Sequence, residues 1–567
     1  MLRSRRVLQN PLLLARPRLA ASVHVISDLS AMEVTRHNFS AALAEVEAQL
    51  RLPSCQYAAI DTEFTGLTPH EKTREKVIDT LEERYAKVRA SGENFLITQF
   101  GLALVHVEDD KTWIKCFNFY VFPRPYANMD TRFLCQASSI QFMSEHGFDF
   151  NKFIRDGIPY MTRSNEAYVR KNHARSLKNV TKSPPSKVSV TKRFDQDFLK
   201  ETIATIEAWI TAPPSDDNKE LFLPARNSFR RLLIFHAAKY GILSKFADMI
   251  YTESTGDGVL LVRADQSERE NRLKRKIDTM NQEVEDAVGF SKVIQLLSDA
   301  KKPIIGHNCL LDFVYLYHQF CAPLPATLCE FKSELQTHFP TVYDTKHMAL
   351  TSPLRESFES TSLSAVFEKM RDTLQPDVAS LITDGAADPY HAALTKSDDG
   401  KNMPCHEAGF DALMTAIAYL GFTSASANKW SLESLPLAAD ATDLAPYKNR
   451  INLMVLEQGA FLDLQDVDQE LDRRHVYVVT HPTSLASVKM EELFPDVEIA
   501  RVYRENDREV YVFLTQPLEA VPTAKDETVA ITTFPLFKEA RTAAKASTNT
   551  TIEAKDAPAP ASWCTIS

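Results

Sequence analysis

An apolar run, YAAIDTEFTGL at residues 57–67, ends in two carboxylates, Asp61 and Glu63, with a single residue between them. Side chains on a strand alternate between faces, so on a strand these two stand next to each other. On a helix they would point in nearly opposite directions. Like charges held side by side and stripped of water repel, so such a pair calls for a positive neutraliser, and a hard divalent cation suits carboxylate oxygens. The plain structural alternative is a strand end turning into a solvated loop at Thr65-Gly66-Leu67. D-x-E on its own does not separate the two readings.

A strand that carries acid at its end needs a large core behind it. The chain has 567 residues, 44% of them hydrophobic and 25% charged, which is ordinary globular composition and enough for two or three domains. Its net charge of -10 excludes a protein coated in basic surface, so a nucleic acid would be held by a local patch or through metal. The eight cysteines are scattered without a C-x-x-C pair, which argues against a disulfide framework and a zinc ribbon and for a reducing compartment. No apolar run reaches the roughly 18 residues of a membrane span, so no membrane anchor is expected.

Residues 1–31 carry five arginines and no acid before Asp28, the composition of a mitochondrial presequence. Pro11 and Pro17 oppose a helix there, and the rival reading is an extension ahead of a start at Met32. Residues 32–165 alternate strand-like runs (YAAIDTEF, FLITQFGLALVHV, CFNFYVF) with turn residues, the pattern of a sheet. Residues 166–194 form a basic flexible arm, with eight Lys/Arg, no acid and Pro184-Pro185 between 168 and 194. Such an arm is a solvated surface loop, an RNA guide or a nuclear address. A small α/β module over 195–264 reads as an insertion, after which 265–435 returns to the main body with helical periodicity. Residues 446–520 run strand, helix, strand, turn, strand, the order of an α+β RNA-recognition module. The tail over 521–567, rich in Ala, Thr, Lys and Pro, is expected to be disordered.

Three more segments bear on the opening pair. In KPIIGHNCLLDFVYLYHQF a short strand gives way at Gly306-His307-Asn308 to a helix that Asn308 is placed to cap, with Asp312 in its first turn. An acid there also complements the helix dipole. In HEAGFDALMTAIAYL, His406 and Asp411 lie five residues apart, about 140° around a helix. They address one site only if His406 sits on the loop entering the helix, where Gly409 makes the entry flexible. Four carboxylates (Asp61, Glu63, Asp312, Asp411) and one histidine make up the inventory of a two-metal phosphodiester-cleaving site, in which two cations about 3.5–4 Å apart clamp the attacking and leaving oxygens. The histidine would serve as general base.

AIDTEFTGL, GHNCLLDFVYLYHQF, YDTKHMA and HEAGFDA resemble the signature segments of the DEDD exonucleases in their histidine-containing branch, the CAF1/DEDDh superfamily. CFNFYVFPRPY, QASSIQFMSEHGFDFNKFIRDGIPYM and EDAVGFSKVI are similar, more narrowly, to the poly(A)-specific ribonuclease family. The likeness spans roughly residues 32–520. It implies an RNase H-like α/β nuclease domain with an inserted R3H-like domain and a C-terminal RRM-like domain, acting as a homodimeric 3′-to-5′ exoribonuclease that shortens poly(A) tails and releases 5′-AMP. Two magnesium ions, or manganese in their place, would be held by Asp61, Glu63, Asp312 and Asp411, with His406 as the base. Phe64, Leu67, Asn308, Leu311 and Lys346 occupy positions that in the family contact the RNA 3′ end, while Asp344 is a support residue outside the metal set. The family acts in nucleus and cytoplasm; a presequence would direct this chain to mitochondria.

Two departures qualify the likeness. The Arg-x-x-x-His signature of the inserted domain is not met, because Arg231 and His236 are separated by four residues. Arg501 stands where the family stacks a cap on tryptophan, leaving Tyr503, on the same strand face, and Tyr511 as the candidate stacking rings. Two other functions remain open: 3′ trimming of small or non-coding RNA precursors, and an inactive RNA-binding scaffold, against which all five active-site positions argue.

Overall fold

The computed structural model describes residues 33–541, apart from 109–110, 216–217, 375–377, 383–388, 396–403, 427–441, 455–459 and 466–470, and also residue 543. The readings for 1–31, for the tail beyond 543 and for a boundary near 435 lie outside these residues. No helix among the described residues is long and apolar enough to cross a membrane.

The apolar text of the first segment folds as β1 (Glu33–Val34), β2 (Cys55–Phe64), β3 (Ile97–Glu108) and β4 (Lys111–Tyr120). Tyr57 through Ile60 are buried on both faces of β2, which is why the run shows no polar alternation. The inserted module contributes β5 (Glu220–Pro224), β6 (Ile250–Ser254) and β7 (Gly258–Arg263), an antiparallel sheet in the order β5-β7-β6. Helices Arg193–Thr211 and Ser228–Lys239 supply Ile206, Trp209 and Ile234 to its own core.

The chain returns along helix Gln266–Val288 to β8 (Ile304–Gly306) and β9 (Val342–Asp344). The central sheet has the order β1-β4-β3-β2-β8-β9, mixed in sense, with β2, β8 and β9 parallel to one another and β3 antiparallel to both β2 and β4. One apolar layer packs around helices Phe39–Arg51, Ser291–Ala300 and Leu310–Leu316, and the other around Leu363–Leu374 and Ala408–Ser426. The last of these helices is apolar almost all round because it is enclosed on every side. Its start presses directly on the sheet: a Cβ on Gly101 would lie 1.8 Å from the Ala408 carbonyl oxygen, and one on Gly409 2.7 Å from Asn118 Cβ. Gly409 is therefore required for close approach within the helix and does not loosen its entry.

Three expected boundaries are corrected. The basic arm is helical over Arg163–Thr181, where Arg170 bonds Glu285 at 2.7 Å and His173 bonds Asn281 at 2.8 Å on helix Gln266–Val288. Only the stretch around Pro184-Pro185 stays non-helical, because proline cannot continue the ladder. Second, β10 (Arg450–Asn452) and β11 (Phe461–Asp463) pair with each other, and Ile451, Leu453 and Leu462 join the nuclease core, so this stretch is no part of the C-terminal module.

Third, that module is the antiparallel sheet of β12 (Val476–Thr480), β13 (Ile499–Asn506), β14 (Glu509–Leu514) and β15 (Ala530–Thr533), in the order β13-β14-β12-β15. The start of the segment expected to be disordered from 521 is folded: Val529 and Phe534 are buried and β15 pairs with β12. One face of this sheet closes against the nuclease: Val77, Val476, Val478, Tyr511, Phe513 and Phe534 form one cluster. Arg473 donates to the carbonyls of Val77 (3.2 Å) and Asp79 (2.9 Å), and also to that of Ile78.

A chain ended after residue 520 loses β15 and Phe534, whose burial alone is worth about 1.5–3 kcal/mol. Thermal melts should show a lowered transition for that truncation and an unchanged one for a chain ended at 543; equal melts would contradict the placement of β15.

Candidate active site

Asp61 and Glu63 project from the end of β2, where it leaves the sheet toward Gly66. Asp312 comes from the first turn of helix Leu310–Leu316, after the turn that follows β8, and accepts a hydrogen bond from Thr62 Oγ1 at 2.5 Å. Asp344 builds that turn. Its buried carboxylate accepts the backbone N–H groups of Asn308 (2.9 Å), Cys309 (3.2 Å), Lys346 (2.9 Å), His347 (3.2 Å) and Asn452 (3.0 Å). A carboxylate fully occupied by five donors supports the backbone and has little left for a cation.

Asn308 does not cap the helix, contrary to the sequence reading. Its φ is +60°, and its Oδ1 accepts from Asn452 Nδ2 at 2.9 Å, while the helix starts at Cys309 without a side-chain cap.

Asp411 lies in the first turn of helix Ala408–Ser426. His406 sits in the turn ahead of it, with φ +69°, and donates its backbone N–H to both Asp411 oxygens at 3.3 Å. That placement is the one the five-residue spacing requires for both to face one site. Donor atoms of Glu63, His406 and Asp411 all lie within 4.8 Å of one another.

The electrostatics are those of crowded carboxylates held away from water. Burial pushes Asp312 and Asp411 up to about 7. Asp61 and Glu63 are pushed well up by burial first, and then by repulsion from Asp411 and Asp312. Among the described residues no lysine or arginine pairs with any of the four. A hard oxygen donor set, buried, crowded with like charge and without a basic partner, fits divalent cations. His406, though exposed at its edge, is shifted the other way: partial desolvation of its ring and the neighbouring His146 lower its pKa and favour the neutral form.

The other candidates divide into two groups. Phe64 is half-buried with its ring 4.4 Å from Tyr315, and Leu311 is half-buried beside Asp312. Leu67 is exposed, its N–H bonded to Gln136 Oε1 at 3.0 Å, and Lys346 reaches the Thr361 carbonyl at 3.0 Å. Phe64, Leu67, Leu311 and Asn308 flank the acids along the chain, while Lys346 follows the support residue Asp344. Tyr503 and Tyr511 are not brought to the site. Tyr511 is completely buried, its hydroxyl bonded to Glu509 and its ring packed near Phe534 and Phe537, while Tyr503 is half-buried beside it. Tyr511 offers no free face to a base, because Val77 and the segment after β15 cover it, whereas Tyr503 at the margin keeps part of its ring exposed. This corrects the expectation that Tyr511 stacks RNA.

Sequence reasoning missed Asn452, which braces Asn308, and two rings from helix Ala137–Glu145 and its end: Phe142 and His146 lie 4.8 and 4.4 Å from the His406 ring. The half-exposed phenylalanine in SSIQFMSEHGF was the available signal.

The sequence model of the CAF1 family ribonucleases matches residues 34–419. The chain is similar to the poly(A)-specific ribonuclease PARN of Bos taurus, 33% identical over 515 residues that cover 87% of this chain and 77% of that protein. It is also similar to the pre-piRNA 3′-exonuclease trimmer of Bombyx mori, 28% identical over 434 residues, covering 75% of this chain and 77% of the other. Among solved structures, S. pombe Pop2p in its Mg2+- and Mn2+-bound form aligns with a TM-score of 0.33 and 16% identity, covering 69% of this chain and 91% of that one.

The raised carboxyl pKa values carry a sign. Asp312 and Asp411 hold their protons up to about pH 7 when folded, but only to about pH 4 when unfolded. The metal-free folded state therefore binds more protons in that interval and loses stability as pH rises through it. The Tm of wild type relative to Asp411→Asn should fall between about pH 4 and 7, and magnesium added above pH 7 should raise the wild-type Tm far more than that of the variant. Parallel curves with no magnesium response would refute the shared site.

Proposed function

The chain belongs to the CAF1 family of ribonucleases, and from that we propose that it is a magnesium-dependent 3′-to-5′ exoribonuclease that shortens poly(A) tails and releases 5′-AMP. The observation that carries this reading is the cluster of two buried and two half-buried carboxylates without a basic partner among the described residues, set against a histidine whose neutral form is favoured. Asp61, Glu63, Asp312 and Asp411 would hold two divalent ions, which would supply positive charge to offset the phosphate and the attacking and leaving oxygens.

The chain's own residues do the rest. His406 takes the proton of the attacking water on its neutral ring, and the bond from its N–H to Asp411 fixes the turn that presents it. Phe64, Leu67 and Leu311 offer apolar surface to the terminal bases, and Lys346 offers a cation to a phosphate. Asp344 and Asn452 keep the Asn308 turn in shape without touching RNA. The inserted sheet reads as an R3H-like domain, and its His236 ring is already bonded to the Ser186 carbonyl at 3.2 Å. The C-terminal sheet, with a helix between its first two strands, reads as an RRM-like domain whose aromatic face is spent on docking. The relatives named for poly(A) support that substrate, and the trimmer among them sets the alternative of small-RNA 3′ ends.

Purified protein and 5′-labelled oligomers ending in A, U, C or G decide the matter. Magnesium-dependent ladders on oligo(A) that stall at other 3′ residues support a deadenylase; equal trimming of all ends favours the alternative. Asp61→Ala, Glu63→Ala, Asp312→Ala and Asp411→Ala should each nearly abolish hydrolysis, and His406→Ala should cost roughly 10²–10⁴-fold. In the wild type the rate should rise with pH around a midpoint below the usual histidine value of about 6.5, and His406→Ala should flatten that limb.

A second expectation follows from the closed sheet face. Cap stacking on an aromatic ring is worth about 0.5–2 kcal/mol; Tyr511 is buried and Tyr503 is half-buried beside it, so capped and uncapped poly(A) substrates should be shortened at nearly equal rates. A several-fold cap stimulation that Tyr503→Ala removes would show that the face opens in solution.

A further inference from the structure

We propose that His146 is a positioning residue for His406: with Phe142 it forms a ring clamp that sets the orientation of the imidazole facing the acid cluster. The inference rests on the reading of His406 as the general base.

His406 lies ahead of its helix, so no helical neighbours restrict its side chain, and its backbone has the left-handed φ of +69°. Among the described residues neither of its ring nitrogens makes a hydrogen bond; only its backbone N–H does. An exposed imidazole with no polar tether samples several rotamers unless something packs against it. The rings of Phe142 and His146 do so. Phe142 to His146 is 4.2 Å, Phe142 to His406 is 4.8 Å and His146 to His406 is 4.4 Å, with the His406 ring plane steeply inclined to both partners, at 72° and 76°. Edge-to-face contacts of this kind fix mutual orientation because the positive ring edge seeks the negative ring face.

The clamp is itself held. His146 Nδ1 donates to the Phe142 carbonyl at 2.8 Å, which sets the His146 ring at the end of helix Ala137–Glu145. Met143 of the same helix is buried and accepts from Thr98 Oγ1 at 3.6 Å. Gln136, at the helix start, donates its N–H to the Thr65 carbonyl at 2.8 Å, and its side-chain oxygen receives the N–H groups of Leu67 and Thr68 at 3.0 and 3.1 Å. Thr65 and Leu67 lie two and four residues after Glu63. One short helix thus ties the chain leaving the acid strand at its start to the base at its end, two elements far apart in sequence.

The test compares His146→Ala with His146→Phe, which keeps a ring but no nitrogen, in the full chain. On oligo(A), His146→Ala should lower kcat roughly ten- to a hundredfold with KM nearly unchanged, and His146→Phe should recover most of the loss. In a His406→Ala background, His146→Ala should cost nothing further. A purely structural role would instead lower Tm and add to the His406→Ala loss. A second readout needs no activity: in protein labelled at histidine Cε1, the His406 resonance, assigned by its loss in His406→Gln, should move in His146→Ala and return in His146→Phe. An unmoved resonance with unchanged kcat overturns the proposal, and so does failure of His146→Phe to rescue. If the resonance moves as expected but wild-type protein shortens no RNA, the clamp stands and the assigned function falls.

Discussion

Asp61, Glu63, Asp312 and Asp411 repel one another, and burial removes the water that would otherwise weaken the repulsion. Backbone geometry holds them together. The two-residue period of β2 sets the first pair, and the Asp344 carboxylate, with five backbone donors, fixes the turn that delivers Asp312. The contact of Gly101 and Gly409 with backbone and Cβ atoms fixes the helix that delivers Asp411. These devices rest on two apolar layers, one of them built on the enclosed helix Ala408–Ser426. A core that large can carry a locally unfavourable site, as functional sites commonly require.

How far the sequence could be read depended on how local each cause was. Asp61 and Glu63 were legible because strand period alone makes them neighbours. Asp312 and Asp411 were not legible alone, since an acid in the first turn of a helix equally serves the dipole; the family resemblance brought them together. Asn308 looked like a cap, but its conformation is decided by Asp344 and Asn452, which arrive later in the chain. The basic arm looked unstructured because its partners Asn281 and Glu285 lie beyond the whole inserted module. Tyr511 looked like a stacking ring because nothing in its own strand reveals that Val77 will cover it.

That cover has a structural consequence near the site. The segment between β2 and helix Leu81–Asn94 carries Leu67 near one end and Val77 near the other. Arg473 caps three successive carbonyls of this segment, Val77, Ile78 and Asp79, and the Lys76–Glu505 ion pair adds a second tie. Asp79 in turn receives Lys87 at 2.5 Å. Buried pairs of this kind gain little net energy but cost several kcal/mol when one partner is removed, about 3–5 in measured cases. The C-terminal sheet therefore buttresses a loop that begins beside the acid pair.

The acids and the base need opposite surroundings. Asp312 and Asp411 are 8% and 7% exposed, and dryness strengthens their hold on a cation. A general base must meet water and release its proton to it, and His406 is exposed. Placed inside the helix, His406 would be turned about 140° from Asp411 and sunk in the packed layer that encloses Phe410 and Leu413. The left-handed turn at His406 swings the residue out of that layer while its N–H still reaches the Asp411 carboxylate, so one backbone distortion places the base at the solvent edge of a site where Asp312 and Asp411 stay dry.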